Sequence, residues 1–208
     1  MGTDNLRFIK EEAIRLAAEN DDLRREVQAL RRSVRALSAL YYASQNITAR
    51  VDVLRLLGEI LDAALDVLKA EEGSLLLTDE STGELVFTVS RGPAANKLEG
   101  LRLAPGQGIA GWTAANQQPQ IVADVRRDPR FFSGVDDVVG YTTRSLVCVP
   151  VTLDDGRVLG VLEVINKLAE RDFDQDDVDL LLVVAQLAAT AMRRAERAIE
   201  GDRPKTGG

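Results

Sequence analysis

Residues 145–167, SLVCVPVTLDDGRVLGVLEVINK, contain two apolar runs joined by the short polar turn DDGR. Each run is rich in valine and leucine and is long enough for one strand, and the turn contains the aspartates and the glycine that a tight connection favours. The pattern predicts a β-hairpin. Because both runs are almost continuously apolar, we expect the two strands to lie in the buried middle of a sheet.

A second hairpin is predicted upstream of the first. The segments GSLLLTD (73–79) and ELVFTVSRG (84–92) have strand-like composition and are joined by the polar link ESTG, which contains a glycine. Between the two hairpins the predicted elements are short. LEGLRLAP and QPQIVADV each predict a short strand, GIAGWTAANQQ predicts a helix of two to three turns, and RRDPRFFSGVDDVVGY predicts mostly loop and short helix.

Longer helices are predicted on both sides of these strands. One is expected at about residues 53–68 and another at about residues 176–199, where apolar residues recur at helical spacing. The stripe of the first helix is formed by Leu54, Leu57, Leu61, Leu65 and Leu68. An antiparallel sheet with helices before and after it defines an α+β fold.

A glycine run in the middle of the chain needs an explanation. Pro105 begins the stretch PGQGIAGW, which has the G-x-G-x-x-G spacing of dinucleotide-binding loops, and Asp124 follows at about the expected distance. That fingerprint requires a buried strand before it and a parallel βαβ unit around it. Here the proline interrupts the preceding strand, and the neighbouring elements are hairpins. We therefore interpret Gly106 and Gly108 as turn residues and Gly111 as a site of close packing.

The start of the chain has a different pattern. Residues 6–45 show a seven-residue apolar repeat sustained over about six heptads, which predicts a parallel, two-stranded coiled coil and hence a homodimer. Asn20 occupies an a position, where asparagine fixes register and dimer state. The predicted dimer seam includes Val27, Leu30, Val34 and Leu37. The alternative interpretation is an amphipathic helix packed on its own domain. Residues 1–5 and 200–208 are predicted to be disordered.

The composition excludes several classes of function. The 208 residues have a net charge of −7, contain no histidine and contain one cysteine, Cys148. Histidine-based catalysis, haem ligation and zinc sites are therefore not expected, and no metal site is predicted. A single thiol within an apolar run is interpreted as inert core and fits a reducing compartment, so we predict a cytoplasmic protein. The acidic charge argues against nucleic acid as a partner, and no apolar run is long enough to predict a membrane span.

Six segments in this order resemble the GAF domain family. They are GSLLLTD, PGQGIAGW, IVADVRRDPRF, SLVCVPV, LGVLEVINK, and finally Phe173 with Asp177 at the start of the last helix. The resemblance covers residues 50–199 and implies a GAF-like antiparallel sheet with flanking helices. With the long coiled-coil helix predicted before it, the chain resembles GAF proteins of the bacterial signalling type.

The resemblance implies a small-molecule sensor or a dimerisation module. Family members that bind cyclic AMP or cyclic GMP share an N-K-F-D-E signature, and Asn166, Lys167, Phe173 and Asp177 match its first four letters, whereas Val178 replaces the glutamate. A cyclic nucleotide is therefore a candidate ligand. The family pairs the lysine with the aspartate, which implies an ion pair beside the pocket. Haem and bilin cofactors are not expected, because the chain lacks the histidine that those family members use.

In the family the pocket lies on one face of the sheet, beneath short helical loops. The resemblance maps its lining to Ser90, Arg91, Ile109, Trp112, Asp124, Arg130, Phe131, Thr143, Arg144, Ser145 and Glu163. Trp112 is interpreted either as a stacking surface or as a packing residue. Glu163, a carboxylate inside an apolar strand, is expected either to form a structural ion pair, with Arg144 as a candidate partner, or to face the pocket.

Two hypotheses for the function follow. The first is a homodimeric sensory module that binds a small molecule and transmits its state to a partner protein through the coiled coil and the terminal helix. In that hypothesis Val184, Leu187 and Ala191 are expected at the dimer interface. The alternative is a ligand-free dimerisation and protein-interaction module that acts as a scaffold. An enzyme is not expected, because the usual acid–base and nucleophile sets are missing.

Overall fold

The computed structural model describes residues 12, 15, 16, 50–168 and 171–201. The chain divides into two units, Met1–Ala39 and Leu40–Gly208. In the first unit, Glu12, Arg15 and Leu16 are helical, and the Arg15 guanidinium forms an ion pair with the Glu12 carboxylate.

Several predictions for the ends of the chain fall outside the described residues. These are the disorder predicted for residues 1–5, most of the disorder predicted for residues 200–208, and the coiled coil predicted at Asn20, Val27, Leu30, Val34 and Leu37. At the C-terminal end, the last helix extends to Gly201, slightly beyond its predicted end.

In the described part of the second unit, the helices are α1 (Arg50–Leu68), α2 (Ala95–Leu98), α3 (Gly108–Asn116), α4 (Gly134–Val139) and α5 (Gln175–Gly201), with a 3-10 turn at Val125–Arg127. The strands are β1 (Ala70–Thr78), β2 (Leu85–Arg91), β3 (Arg102–Leu103), β4 (Gln120–Val122), β5 (Leu146–Thr152) and β6 (Val158–Lys167). Among the helices that the structure describes, none combines the length and the apolar character that crossing a bilayer requires.

The six strands form one antiparallel sheet in the order β3-β2-β1-β6-β5-β4. Both predicted hairpins are confirmed, because β1 pairs with β2 and β5 pairs with β6. The two hairpins join through β1 and β6, which are the middle strands of the sheet. β5 lies one strand away from the middle, and its residues from Leu146 to Val151 are nevertheless all buried.

One face of the sheet is covered by the two long helices, α1 and α5. Leu61 of α1 and Leu181 of α5 are at most 1% exposed and pack in one apolar core with Leu162 of β6. Burying a leucine or valine side chain stabilises a fold by about 1.5–3 kcal/mol, so this core is the main source of stability. The core also takes in Val184 and Ala191, which are 3% and 0% exposed. The expectation that these two residues face a second copy of the chain is therefore wrong.

The other face of the sheet is covered by short elements. Helices α2, α3 and α4 are 4, 9 and 6 residues long. They pack on a second, smaller apolar core that includes Leu76, Phe87, Cys148 and Val161. Short helices present few apolar side chains to the sheet, and the space that they leave unfilled forms the cavity described below.

The glycine run serves the turn into α3, as the sequence predicted. Gly106 and Gly108 have φ angles of +75° and +72°, a left-handed conformation that glycine adopts without strain. A Cβ on Gly111 would lie 2.6 Å from the carbonyl carbon of Gly106, so a larger residue would not fit there. The strand that follows α3, β4, pairs antiparallel with β5. The run therefore does not lie in the parallel unit that dinucleotide binding requires.

Candidate ligand-binding site

A cavity lies between the second face of the sheet and the short helices α2, α3 and α4. About 660 Å³ is unfilled by atoms when its mouth is included, and about 70 Å³ of this admits the centre of a water molecule. Its walls are mostly apolar and include three phenylalanines, Phe87, Phe131 and Phe132. Its polar side chains are those of Glu72, Ser74, Asp136, Tyr141, Thr143 and Glu163. A mostly apolar hollow with a few polar groups is typical of small-molecule sites.

Two of these carboxylates come from the middle strands of the sheet. Glu72 belongs to β1 and Glu163 to β6, and the register sets Ser74 opposite Glu163 and Ile165 opposite Glu72. Side chains on a strand alternate between its two faces, so both glutamates lie on the cavity side while Leu75 and Leu162 pack beneath α1 and α5.

Only one of the two oxygens of the Glu72 carboxylate accepts a hydrogen bond from the described residues. Its Oε2 accepts a hydrogen bond from the backbone N–H of Ala94 at 3.1 Å. The residue is 0% exposed, and its Oε1 has no hydrogen-bond partner among the described residues. Burial raises the pKa of Glu72 to about 6, although the Ala94 N–H acts in the opposite direction. A buried acceptor without a donor costs free energy that a bound ligand can recover.

The Glu163 carboxylate has neither a hydrogen bond nor an ion pair with any residue in the described ranges. Burial raises the pKa of Glu163 to about 7, and the charges of Glu72 and Asp136 add to the rise. Of the two predicted alternatives, the structure favours the pocket-facing group over the structural ion pair.

Arg144 is not the partner of Glu163. In the register of β5 and β6, the residue opposite Glu163 is Cys148, whose buried thiol has its pKa raised well above the usual range by burial. Arg144 lies before β5 begins and donates instead to Oε2 of Glu71, 3.2 Å from its Nη2. The Arg144 side chain is 59% exposed, so this ion pair lies at the surface.

Both oxygens of Asp136, the third carboxylate in the cavity, accept hydrogen bonds. Its Oδ2 accepts from the backbone N–H of Thr143 at 2.8 Å, and its Oδ1 accepts from the Thr143 hydroxyl at 2.7 Å. These bonds tie α4 to the segment that leads into β5. Asp136 therefore adds negative charge to the cavity without offering a free acceptor comparable to that of Glu163.

No lysine or arginine side chain lines the cavity in the part of the chain that the structure describes. Two cationic side chains near its walls form hydrogen bonds with other groups. The Lys97 ammonium donates to the carbonyl of Val139 at 2.7 Å, which joins α2 to α4. The Arg130 guanidinium donates to Asp128 at 2.6 Å and lies 4.7 Å from the centre of the Trp112 ring.

The structure brings four of the eleven predicted pocket residues into the lining: Ile109, Phe131, Thr143 and Glu163. The other seven lie outside it. Trp112 is half-buried beneath Arg130, so its ring is covered by a guanidinium. Asp124 caps the 3-10 turn by accepting from the Arg126 N–H at 3.1 Å.

The remaining predicted residues have structural partners. The Ser90 hydroxyl lies 3.1 Å from that of Ser74. Arg91 reaches towards α1 and donates to Asp62 at 3.1 Å. The Ser145 hydroxyl accepts from the backbone N–H of Lys167 at 3.4 Å.

Sequence reasoning missed Glu72 and Asp136. Glu72 follows Glu71 at the start of β1, and the sequence does not reveal which of two adjacent glutamates points inward until the strand register is known. Asp136 lies in the segment GVDDVVGY, where an acid is expected merely as a first-turn residue of a helix. Extending a period-two count of GSLLLTD back by one residue groups Glu72 with Ser74 and Leu76, but the pairing of β1 with β6 is needed to show that this group faces the cavity.

The predicted ion pair beside the cavity is present. Lys167 Nζ lies 2.7 Å from both carboxylate oxygens of Asp177 and 4.9 Å from the centre of the Phe173 ring. Each side chain of the pair is 5% exposed. Burial alone would raise the pKa of Asp177, but hydrogen bonds from Arg171 and Lys167 outweigh it and lower that pKa. The pair fixes the end of β6 to the first turn of α5.

Asn166 connects the same strand end to the cavity wall. Its side-chain amide donates to the hydroxyl of Tyr141 at 2.8 Å and to the carbonyl of Thr142 at 2.9 Å. Its Oδ1 accepts from the backbone N–H of Arg144 at 2.8 Å, and its own φ is +57°. Asparagine tolerates this left-handed conformation better than most residues, which explains its presence here.

The comparison with known families identifies the fold. A sequence profile of the GAF domain family matches residues 52–192. The chain belongs to the GAF domain family. GAF domains are generally regulatory modules rather than catalytic ones.

Two similar proteins are phosphodiesterases. The chain is 28% identical over 165 residues to the dual 3',5'-cyclic-AMP and -GMP phosphodiesterase 11 of Drosophila melanogaster. It is 29% identical over 163 residues to the dual 3',5'-cyclic-AMP and -GMP phosphodiesterase 11A of Takifugu rubripes. Each match covers 73% of this chain but 11% and 18% of the respective relative, so the chain spans a small part of their length.

Solved structures share the GAF fold at low identity. The GAF domain of a phosphoenolpyruvate-protein phosphotransferase from Coxiella burnetii has a TM-score of 0.69 and 20% identity, covering 83% of this chain and 98% of that chain. The corresponding Acinetobacter domain has a TM-score of 0.65 and 18% identity, covering 81% and 97%. A free methionine-R-sulfoxide reductase from Neisseria meningitidis has a TM-score of 0.65 and 22% identity, covering 80% and 91%.

We expect Asp177→Asn to lower the free energy of unfolding by about 3 kcal/mol, because Lys167 would keep a buried ammonium group without its counter-charge. Urea unfolding at pH 7 measures the loss. The matched control is Asp176→Asn, an exposed neighbour in the first turn of α5. It should cost less than about 1 kcal/mol, the usual value of a favourable helix-dipole contact. Equal losses for the two variants would show that the ion pair does not fix α5 to β6.

We expect Glu163→Gln to stabilise the protein in a pH-dependent way. The folded state raises the pKa of this carboxyl from 4.5 to about 7. The unfolded chain therefore loses the proton first, and stability falls as the pH rises from about 4.5 to about 7. Removing the charge should add about 1 kcal/mol at pH 5.5 and about 3 kcal/mol at pH 8.

Urea unfolding of the Glu163→Gln protein at both pH values provides the test. Glu80→Gln removes an exposed glutamate outside the cavity and serves as the control. It should change stability by less than about 0.5 kcal/mol at either pH. If the Glu163→Gln protein is only as stable as the wild type at pH 8, the assignment of Glu163 as an unpartnered carboxylate in the cavity is wrong.

Proposed function

We propose that this chain is a homodimeric regulatory module whose GAF domain binds a small molecule and transmits the bound state through its flanking helices. The observation that carries the proposal is the cavity with Glu163 at its floor. A carboxylate without a protein partner inside an apolar hollow is costly to the folded protein. Such a group is retained where binding uses it.

A route for transmission is available in the contacts around the cavity. Glu163 and Lys167 lie on the same strand, and Lys167 holds the first turn of α5 through Asp177. Asn166 links that strand end to Tyr141, which lines the cavity. A ligand that moves the cavity wall therefore acts on groups that contact the start of α5. For transmission the ligand must bind two arrangements of these helices with different affinity.

A cyclic nucleotide is one candidate ligand. The names of the two phosphodiesterases favour it, as does the match of Asn166, Lys167, Phe173 and Asp177 to the family signature. The lining argues against it, because a cyclic phosphate would meet Glu72, Glu163 and Asp136 with no cation among the described lining residues. Two like charges about 4 Å apart repel by about 4 kcal/mol at the effective dielectric typical near a protein surface.

We expect a ligand to appear in a thermal-unfolding screen of the purified chain. The screen contains cyclic AMP, cyclic GMP, other nucleotides, amino acids, small carboxylates and small amines. A ligand present at about 100 times its Kd should stabilise the protein by about 2.7 kcal/mol. This corresponds to a rise in Tm of several degrees.

Glu163→Gln should alter the response to a true ligand, whereas Glu80→Gln should not. If no compound shifts the Tm of protein that mass spectrometry shows to be empty, the sensory proposal fails. The ligand-free interaction module would then be the better account.

Dimerisation through the first segment is tested separately. We expect replacement of Val27, Leu30, Val34 and Leu37 by serine in the full chain to convert a dimer to a monomer, because these positions form the predicted apolar seam. Sedimentation velocity reports the change, and an unchanged Tm of the GAF domain shows that its fold is intact. A dimer that survives all four substitutions would refute the coiled-coil part of the proposal.

A further inference from the structure

We propose that the cavity binds a small organic cation, a protonated amine or amidine with an apolar body, whose N–H groups donate to the carboxylates of Glu72 and Glu163. This inference rests on the proposed function and specifies the class of ligand. It departs from the cyclic nucleotides that the relatives' names suggest.

Both glutamates in the cavity have carboxylate oxygens without a donor among the described residues. Oε1 of Glu72 is buried without a hydrogen-bond partner among the described residues, and Glu72 is 0% exposed. Glu163 has no hydrogen bond to any residue in the described ranges, and both side chains line the same cavity. Acceptors without donors call for a ligand that brings N–H groups, and an ionised acceptor binds a charged donor most strongly.

The hydroxyl groups that line the cavity do not donate to the two glutamates. The Ser74 hydroxyl lies 3.1 Å from that of Ser90, and the Thr143 hydroxyl donates to Asp136. The only hydrogen bond that the described protein gives to Glu72 is that of the Ala94 N–H on its Oε2. Apart from the Ala94 N–H, no described residue donates a hydrogen bond to either glutamate.

The charge of the cavity lining also favours a cation. The charged groups of the described cavity lining are Glu72 on β1, Glu163 on β6 and Asp136 on α4, and all three are acidic. The nearby cations Lys97 and Arg130 bind the Val139 carbonyl and Asp128, respectively. A cationic ligand supplies the missing counter-charge, whereas an anion would add a fourth negative group to a mostly apolar space.

The walls suit the rest of such a ligand. Phe87, Phe131 and Phe132 lie on the strand and loop sides of the cavity, and Phe132 is 42% exposed. Aromatic faces attract ammonium groups and accept apolar chains or rings equally well. The free space is modest, which favours a molecule with one cationic head and one short apolar body.

The proposal carries a pH dependence that can be measured. Burial raises the pKa of Glu72 to about 6 and that of Glu163 to about 7. A cation binds the ionised forms, so its affinity should increase as the pH rises from 5.5 to 8, and binding should release protons to the buffer. An anion would show the reverse trend.

Isothermal titration calorimetry of the full chain at pH 5.5 and pH 8 provides the test. The probes are ethylammonium, butylammonium, 2-phenylethylammonium and benzamidinium, with 2-phenylethanol and 3-phenylpropanoate as neutral and anionic matches and cyclic AMP and cyclic GMP alongside them. At least one ammonium or amidinium ion should bind at pH 8 about tenfold more tightly than at pH 5.5 and about tenfold more tightly than its neutral match.

The variants assign the effect to the cavity. Glu163→Gln and Glu72→Gln should each weaken binding of the cation by about tenfold or more, and Glu163→Gln should remove most of the pH dependence. Both substitutions retain the shape of the side chain, and in Glu72→Gln the new amide oxygen can still accept from the Ala94 N–H. Glu80→Gln, which removes a charge outside the cavity, should leave the affinity unchanged.

Three outcomes would overturn the inference. These are the absence of binding by every cation at millimolar concentration, equal binding of the neutral match, and cation binding that Glu163→Gln leaves intact. In another outcome, an anionic probe or a cyclic nucleotide binds instead, with an affinity that Glu163→Gln changes. That result would refute the proposal of a cationic ligand but not the proposal of a sensory function. If no probe of either charge binds to protein shown to be empty, both proposals fail.

Discussion

β1 and β6 pair in a register that sets Glu72 and Glu163 on the same side of the sheet. The remainder of the site depends on this pairing. A slip of β1 by one residue would turn Glu72 towards the core beneath α1 and α5 and would bring Leu75 into the cavity, while Glu163 kept its orientation. Because the core against the long helices is apolar throughout, such a slip would cost many buried contacts. The packing of one face thus fixes the chemistry of the other.

The two faces of the sheet have unequal roles. α1 and α5, 19 and 27 residues long, cover one face with a closely packed apolar core. The other face carries short helices, a cavity and, on Glu72 and Glu163, carboxylate oxygens that lack a donor among the described residues. The free energy of unfolding of a domain is about 5–15 kcal/mol, so one or two unfavourable carboxylates lower it by an appreciable fraction. The long-helix face supplies the stability that allows the cavity face to keep groups that the fold alone would not favour.

Much of the fold follows from local pattern. The hairpin at residues 145–167, the turn into α3 and the Lys167–Asp177 pair could be predicted, because each depends on residues close in sequence or on the family resemblance.

The predictions that went wrong depended on long-range register and packing. The sequence suggested Arg144 as the partner of Glu163, but the register sets Cys148 opposite that residue and leaves Arg144 to Glu71. Val184 and Ala191 have the spacing of an interface stripe, and such a stripe also suits packing on the domain's own sheet, which is where they lie.

The position of Cys148 makes its thiol a probe of how often the sheet opens. It is the single cysteine of the chain, it is 0% exposed, and it lies within β5 directly opposite Glu163. Reagents that modify thiols attack the exposed thiolate, and both burial and the raised pKa keep this thiol unreactive while the strands are paired. Its rate of alkylation therefore measures how often the sheet opens around Glu163. The thiol is thus a built-in reporter on the strand next to Glu163, and a molecule bound in the cavity should slow its alkylation without any label having been added.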